Sequence, residues 1–226
     1  MSAHLTKAVC FALVLFVACG EDAPPDPYTT EAIQRDIEER PVKVLYEELD
    51  KLPPWTPPLR GTVSDWQVES FINVSRLSRR IIEVSSGEFD EKVENAHRDD
   101  DRYSRMATAF SALGNARNAA TAEIRASLRL NVHPREYDWV AQQIRRGAET
   151  ASRQRVLQKK IRDAEQARNA EYNEYLRAQR ETELAEARRE LQYLLDGLGD
   201  AERANAEKVL QHAGTLAPYV ASLRRK

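Results

Sequence analysis

The chain has 226 residues, 31% of them charged and 42% hydrophobic, with 34 Lys and Arg against 36 Asp and Glu for a formal net charge of -2. That length fits one sizeable domain or two small ones, and so small a net charge creates no global field that would recruit nucleic acid. Only two cysteines and 8 glycines occur, which excludes a disulfide-stapled scaffold and favours long solvent-facing helices over a sheet-rich fold.

The first element is a leader. Lys7 supplies a positive start and Ala8–Ala18 an apolar run ending in small residues, the pattern of a secretory signal peptide over residues 1–18. A bilayer-spanning helix needs roughly 20 apolar residues, and this run stops at Gly20-Glu21-Asp22. The tetrad Phe16-Val17-Ala18-Cys19 resembles the lipobox of bacterial lipoproteins, with Phe16 where Leu is usual. The resemblance covers residues 1–22. It implies that Cys19 is diacylglycerylated, that the leader is cut before it, and that the new N-terminus is acylated. Three chains at about 0.8 kcal/mol per buried CH2 make an effectively permanent anchor. By analogy with enterobacterial sorting, Gly20 after the cysteine points to the outer membrane, facing the periplasm. The other reading of the same residues is an ordinary cleaved signal peptide with an incidental cysteine. If Cys19 carries lipid and Cys10 leaves with the signal, the mature chain has no disulfide and its stability comes from packing.

Residues 19–30, with Pro24, Pro25 and Pro27, form an extended tether. The helical domain is expected over 31–226. Thr30 is placed to cap a helix with apolar positions at Ile33, Ile37, Val44, Leu45 and Leu49, which Pro41 should kink or split. The Pro-rich segment 53–58 cannot be helical and reads as a strap or stiff linker. Ser64-Asp65-Trp66-Gln67 has the form of a capping box, opening a helix with Val68, Phe71, Ile72, Ile81 and Ile82 on one stripe and Gly87 as its stop. A second start lies near Asp99-Asp100-Asp101. From it Tyr103, Met106, Phe110, Leu113, Ala120, Ile124 and Leu128 recur at helical spacing to about Leu130, with Ala116, Ala119, Ala120 and Ala122 allowing close helix approach.

Pro134 suits a first helical position, and no proline follows it until Pro218. The spacing therefore predicts one long charged helix over 134–196, about 60 residues and about 90 Å. Its apolar stripe thins at Glu165–Glu171. Gly197-Leu198-Gly199 ends it, and Asp200 is placed to cap a return helix carrying Val209, Leu210, Ala213, Leu216, Val220 and Leu223, whose last turns Pro218 should distort. The fold class expected is all-α: a helical bundle with a long extended helix and a C-terminal return helix.

No metal-protease, nucleophile-elbow, phosphate-loop or dinucleotide-binding motif occurs, and no cysteine pair exists for zinc or redox chemistry. His97 with Asp99, Asp100 and Asp101 is the best metal-like cluster, but its residues lack a fixed ligand spacing and read first as a solvated helix start. His133 and His212 read as loop or surface residues. Tyr137, Trp139, Trp55 and Trp66 read as packing groups. No catalytic residue, cofactor or metal is assigned.

One asymmetry remains. Arg145, Arg146, Arg153, Arg155, Lys159, Lys160 and Arg162 face only Glu149, whereas Asp163, Glu165, Glu171, Glu174, Glu181, Glu183, Glu186 and Glu190 dominate the next stretch. The plain reading is a solvated helix laced by the pairs Glu165–Arg168, Glu174–Arg177 and Glu186–Arg189, worth tenths of a kcal/mol each. The functional reading is a partner-binding basic band at Arg153, Arg155, Lys159 and Lys160, or antiparallel self-pairing of basic and acidic segments. Together these features lead to an expectation of a non-enzymatic, membrane-anchored envelope lipoprotein that binds or scaffolds an envelope protein. The alternative is a periplasmic chaperone-like holder of client proteins.

Overall fold

The computed structural model describes residues 26–98 and 113–223, with side chains described for 26–87, 113–221 and 223. The expected signal peptide, the expected lipidation site at Cys19, the expected tether through residue 25, the expected helix start at Asp99–Asp101, and Tyr103, Met106 and Phe110 lie outside the described residues. So does the side chain of His97. The described residues are helical with no strand, an all-α bundle built around one long helix.

Helices α1 (Thr30–Glu39) and α2 (Val42–Lys51) are the two pieces expected on either side of Pro41. The cap is Thr29 rather than Thr30: its hydroxyl oxygen accepts the Ala32 N–H at 3.2 Å. Arg40 sits at the break and bridges it, donating to Asp36 of α1 at 3.1 Å and to Glu48 of α2. Ile33 and Leu45 turn inward and are buried. The prolines then hold residues 53–58 out of helix.

The capping box forms as the residue types require. The Gln67 N–H donates to the Ser64 hydroxyl at 3.2 Å, and the Ser64 N–H donates to Gln67 Oε1 at 3.1 Å. It opens α3 (Asp65–Arg98), where Val74, Leu77 and Val84 join Val68, Phe71, Ile72 and Ile81 in the core, while Ile82 is exposed. Gly87 does not stop this helix. A lone glycine costs about 1 kcal/mol against alanine, and without a left-handed backbone angle it provides no C-terminal cap.

Residues 113–120 are helical, but the expected continuation to Leu130 is interrupted at Thr121, whose hydroxyl donates back to the Arg117 carbonyl at 2.9 Å. Such back-bonding competes with the helix ladder and bends it. Helix α4 (Ala122–Arg129) follows; Ala122 is buried, whereas Ala116 and Ala120 are exposed. Asn131 takes a left-handed φ of 53° and turns the chain, a conformation Asn tolerates better than most residues.

Pro134 opens α5 (Pro134–Ala170) as predicted, with His133 as its cap. The continuous helix to residue 196 is corrected: α5 ends at Ala170, Glu171–Asn173 form a turn, and α6 (Glu174–Asp196) folds back along α5. Asn173 Oδ1 accepts the N–H groups of Tyr175 at 2.9 Å and Leu176 at 3.3 Å, a cap worth about 1 kcal/mol. A straight rod would leave Leu157, Ile161, Leu184 and Leu191 in water. The hairpin buries Leu184 and half-buries the other three. Burial of a Leu or Ile side chain contributes about 1.5–3 kcal/mol when complete, which outweighs the few helical hydrogen bonds lost at the turn at about 1 kcal/mol each.

The return segment is likewise two helices, α7 (Asp200–Gln211) and α8 (Ala213–Leu223), and the N-cap is Gly199, one residue before Asp200. Pro218 is accommodated inside α8. Helix α7 crosses α5 at Gly147, where an added Cβ would lie 2.9 Å from the Asn205 carbonyl oxygen and 3.0 Å from Val209. Buried Asn205 fixes the strap's exit: its Oδ1 accepts the Val63 N–H at 2.8 Å and its Nδ2 donates to the Gly61 carbonyl at 3.0 Å. In the core Phe71 stacks on Tyr137 at 5.4 Å, and Tyr137 shares a 3.1 Å hydroxyl contact with Ser75.

Candidate interaction surface

Beyond Ala151, α5 contributes no buried residue, and α6 contributes only Leu184 and Ala187. The two helices thus leave the bundle as a two-helix arm about 30 Å long at 1.5 Å per residue. Its turn presents Tyr172 and Tyr175, 95% and 80% exposed, with Tyr193 and Val156 also exposed along its length.

The basic and acidic stretches meet across this arm. Lys160 Nζ lies 3.2 Å from both carboxylate oxygens of Glu190, and Arg188 donates to Glu165 at 2.7 Å. Lys160–Glu190 joins the basic stretch to the acidic one within one chain, whereas Glu165 and Arg188 both belong to the acidic stretch. Both pairs are half exposed or more on at least one side, so each contributes at most about 1 kcal/mol. The expected pairs Glu165–Arg168, Glu174–Arg177 and Glu186–Arg189 do not form. Glu165 is taken by Arg188, Arg177 donates to the Glu171 carbonyl at 2.7 Å, and the i,i+3 pair that does form is Arg180–Glu183. Of the four partner-binding candidates, Lys160 is engaged by Glu190, while Arg153, Arg155 and Lys159 are exposed and in no ion pair with a described residue. One side of the arm is a groove of about 520 Å³ lined by Val156, Lys159, Lys160, Asp163, Ala164, Ala167, Arg180 and Glu183.

The other singled-out residues have structural partners. His133 Nδ1 accepts the Arg135 N–H at 3.1 Å and its Nε2 faces the Pro53 carbonyl at 3.1 Å, so it ties the strap to the start of α5. Trp55 packs on Trp139 at 5.8 Å over the same junction, whereas Trp66 is exposed. His212 lies 3.1 Å from Asp65, beside Lys208 at 2.8 Å. Hydrogen bonds from Lys208 first, then His212, hold the Asp65 carboxyl below its ordinary range. Burial pushes the Tyr137 phenol up to about 12. Among the described residues no three His, Cys, Asp or Glu side chains are grouped to hold a metal ion, and no helix is long and apolar enough to cross a membrane.

Two residues escaped the sequence reading. Arg125 is fully buried in α4, with Nη1 donating to the Asp36 carboxylate at 2.8 Å and carbonyl at 2.9 Å, while Nε and Nη2 have no hydrogen-bond partner among the described residues. Asn205 is the other. Both lie among alanines and charged residues, and neither spacing nor composition marks an inward-pointing polar group. No protein-family model matches the chain, and no curated protein or solved structure matches it.

Proposed function

We propose that this protein is a lipid-anchored envelope lipoprotein that works by binding rather than by catalysis, with the α5–α6 arm as its contact surface. Support for the anchor is the lipobox-like Phe16–Cys19. The observation that carries the binding reading is the arm itself: it projects beyond the bundle, displays Tyr172 and Tyr175 at its turn, and bears cations in no ion pair with a described residue. Tyrosine gives a large contact area at low entropic cost and is enriched at protein interfaces. Exposed arginines and lysines favour an acidic protein partner and speed its encounter.

Photo-crosslinking from Tyr172 in intact envelopes, followed by mass spectrometry, tests this. One or a few defined partners are expected, and changing Arg153, Arg155, Lys159 and Lys160 to Gln should weaken capture about tenfold with helicity retained, since Gln is a good helix former. Capture of many unfolded proteins would favour the chaperone-like holder, and absence of any captured protein would count against both.

A further inference from the structure

Away from the arm, a cavity of about 330 Å³ lies between α3, α4, α5 and α8, and its walls are of two kinds. Phe71, Ile82, Ala119, Ala120 and Leu223 make most of it apolar. Ser75, Ser78 and Tyr137 bring three hydroxyls to it, and all three residues are more than nine-tenths buried. Ser75 and Tyr137 share one proton across 3.1 Å, so one of their two O–H groups remains to be donated. Ser78, 4% exposed, makes no hydrogen bond to a described residue. Buried hydroxyls are normally paired, and this one lines the cavity. Ile82 and Ala120 are exposed, so a guest can enter without opening the core.

We propose that this cavity binds a small neutral amphiphile, an apolar body carrying one hydroxyl or carbonyl head that pairs with Ser78 and the Ser75–Tyr137 hydroxyls. Concave, largely apolar walls with a few convergent polar groups are the usual make-up of a small-molecule site. A cavity of about 150 Å³ takes up benzene, so one of about twice that volume admits on the order of a dozen non-hydrogen atoms. Each other kind of occupant leaves one wall unmatched. Water alone would serve the hydroxyls and leave the apolar walls wet. A pure hydrocarbon would cover those walls and leave Ser78 buried without a partner, which is costly. An ion would lose its hydration without gaining a counter-charge, because neither charge in the wall is free: Arg79 donates to the Pro218 carbonyl and lies over the Tyr219 ring at 4.6 Å, and Glu123 interacts with its own neighbours. The site depends on neither the arm nor the lipid anchor, so the failure of those readings leaves it standing.

The test exposes the full-length chain in isolated envelopes to a diazirine-bearing decanol, to the matching alkane and to the matching decanoate. After irradiation and digestion, mass spectrometry locates the insertion. The alcohol should label the peptides carrying Ile82 and Ala119 about fivefold more than either analogue does, the factor expected for one net hydrogen bond. Ser78→Ala should bring the alcohol down to the level of the alkane, and Ala119→Leu, which fills the cavity, should abolish labelling by all three. Because Ser78→Ala removes only a hydroxyl without a partner among the described residues, it keeps the test decisive if Ala119→Leu disturbs the fold. Labelling by the alcohol no greater there than at exposed Tyr193, or unchanged by Ser78→Ala, overturns the proposal and leaves the hydroxyls to water. Equal labelling by the decanoate overturns the neutral class of ligand.

Discussion

Asp36 serves two arginines unequally, and the inequality predicts an asymmetric mutational response. Arg125 is fully buried and has Asp36 as its one ion-pair partner among the described residues, whereas Asp36 also holds Arg40 at 3.1 Å. Asp36→Asn leaves a buried guanidinium uncompensated and should cost about 3–5 kcal/mol in unfolding free energy. Arg125→Met leaves Asp36 still paired with Arg40 and removes two donors that have no partner among the described residues, so its cost should stay below about 1.5 kcal/mol. Urea unfolding of the two variants measures the difference, and equal losses would contradict this account. Nearer the N-terminus, on the proposed anchor, Cys19→Ser should abolish lipid incorporation and release the protein from the membrane fraction, while Cys10→Ser leaves both intact. Metabolic labelling with a fatty acid, with fractionation, reads this directly; unchanged labelling after Cys19→Ser would remove the lipobox assignment.

At the scale of elements, α5 has two lives. Its first half packs through Tyr137 on Phe71, through buried Ile144 and at the close crossing at Gly147, and beyond Arg155 its second half lies along α6. Leu184 and Ala187 are the buried residues that α6 contributes to this contact. Leu184→Ala should therefore loosen the arm by about 2 kcal/mol, the low end for such a truncation because the site is thinly covered and can collapse. Hydrogen exchange should show faster amide exchange across residues 155–195 while α3 and the first half of α5 keep their protection. Uniform loss over the whole molecule would mean that the arm and bundle unfold as one unit. The sequence shows the periodicity of both limbs but not the turn between them. Residues 166–171 contain no proline or glycine to mark a break, and the thinning stripe is compatible with a solvated rod as well as with a bend.

For the whole molecule, the meeting point of α3, α5 and α8 has a titratable group at its centre. Tyr137 is buried between Phe71 and Ser75, and burial raises its phenol from 10.0 to about 12. Because the folded state binds this proton more tightly than the unfolded state, the stabilisation is complete below pH about 10 and is lost as pH rises towards about 12. Alkaline titration followed by far-ultraviolet circular dichroism should show this loss of helix stability. Tyr137→Phe should remove that component, and changing exposed Tyr193 to Phe should not. The sequence by itself determined the helical class, the split at Pro41, the capping box at Ser64 and the start of α5 at Pro134, because each depends on backbone chemistry within a few residues. It also determined the lipobox-like tetrad, which is a local motif. Only the tertiary structure decided that the second limb folds back, that Lys160 meets Glu190, and that Arg125 and Asn205 point inward. Those outcomes depend on which apolar surface becomes available to cover another, and residues 30 positions apart in sequence carry no mark of meeting until the chain has turned.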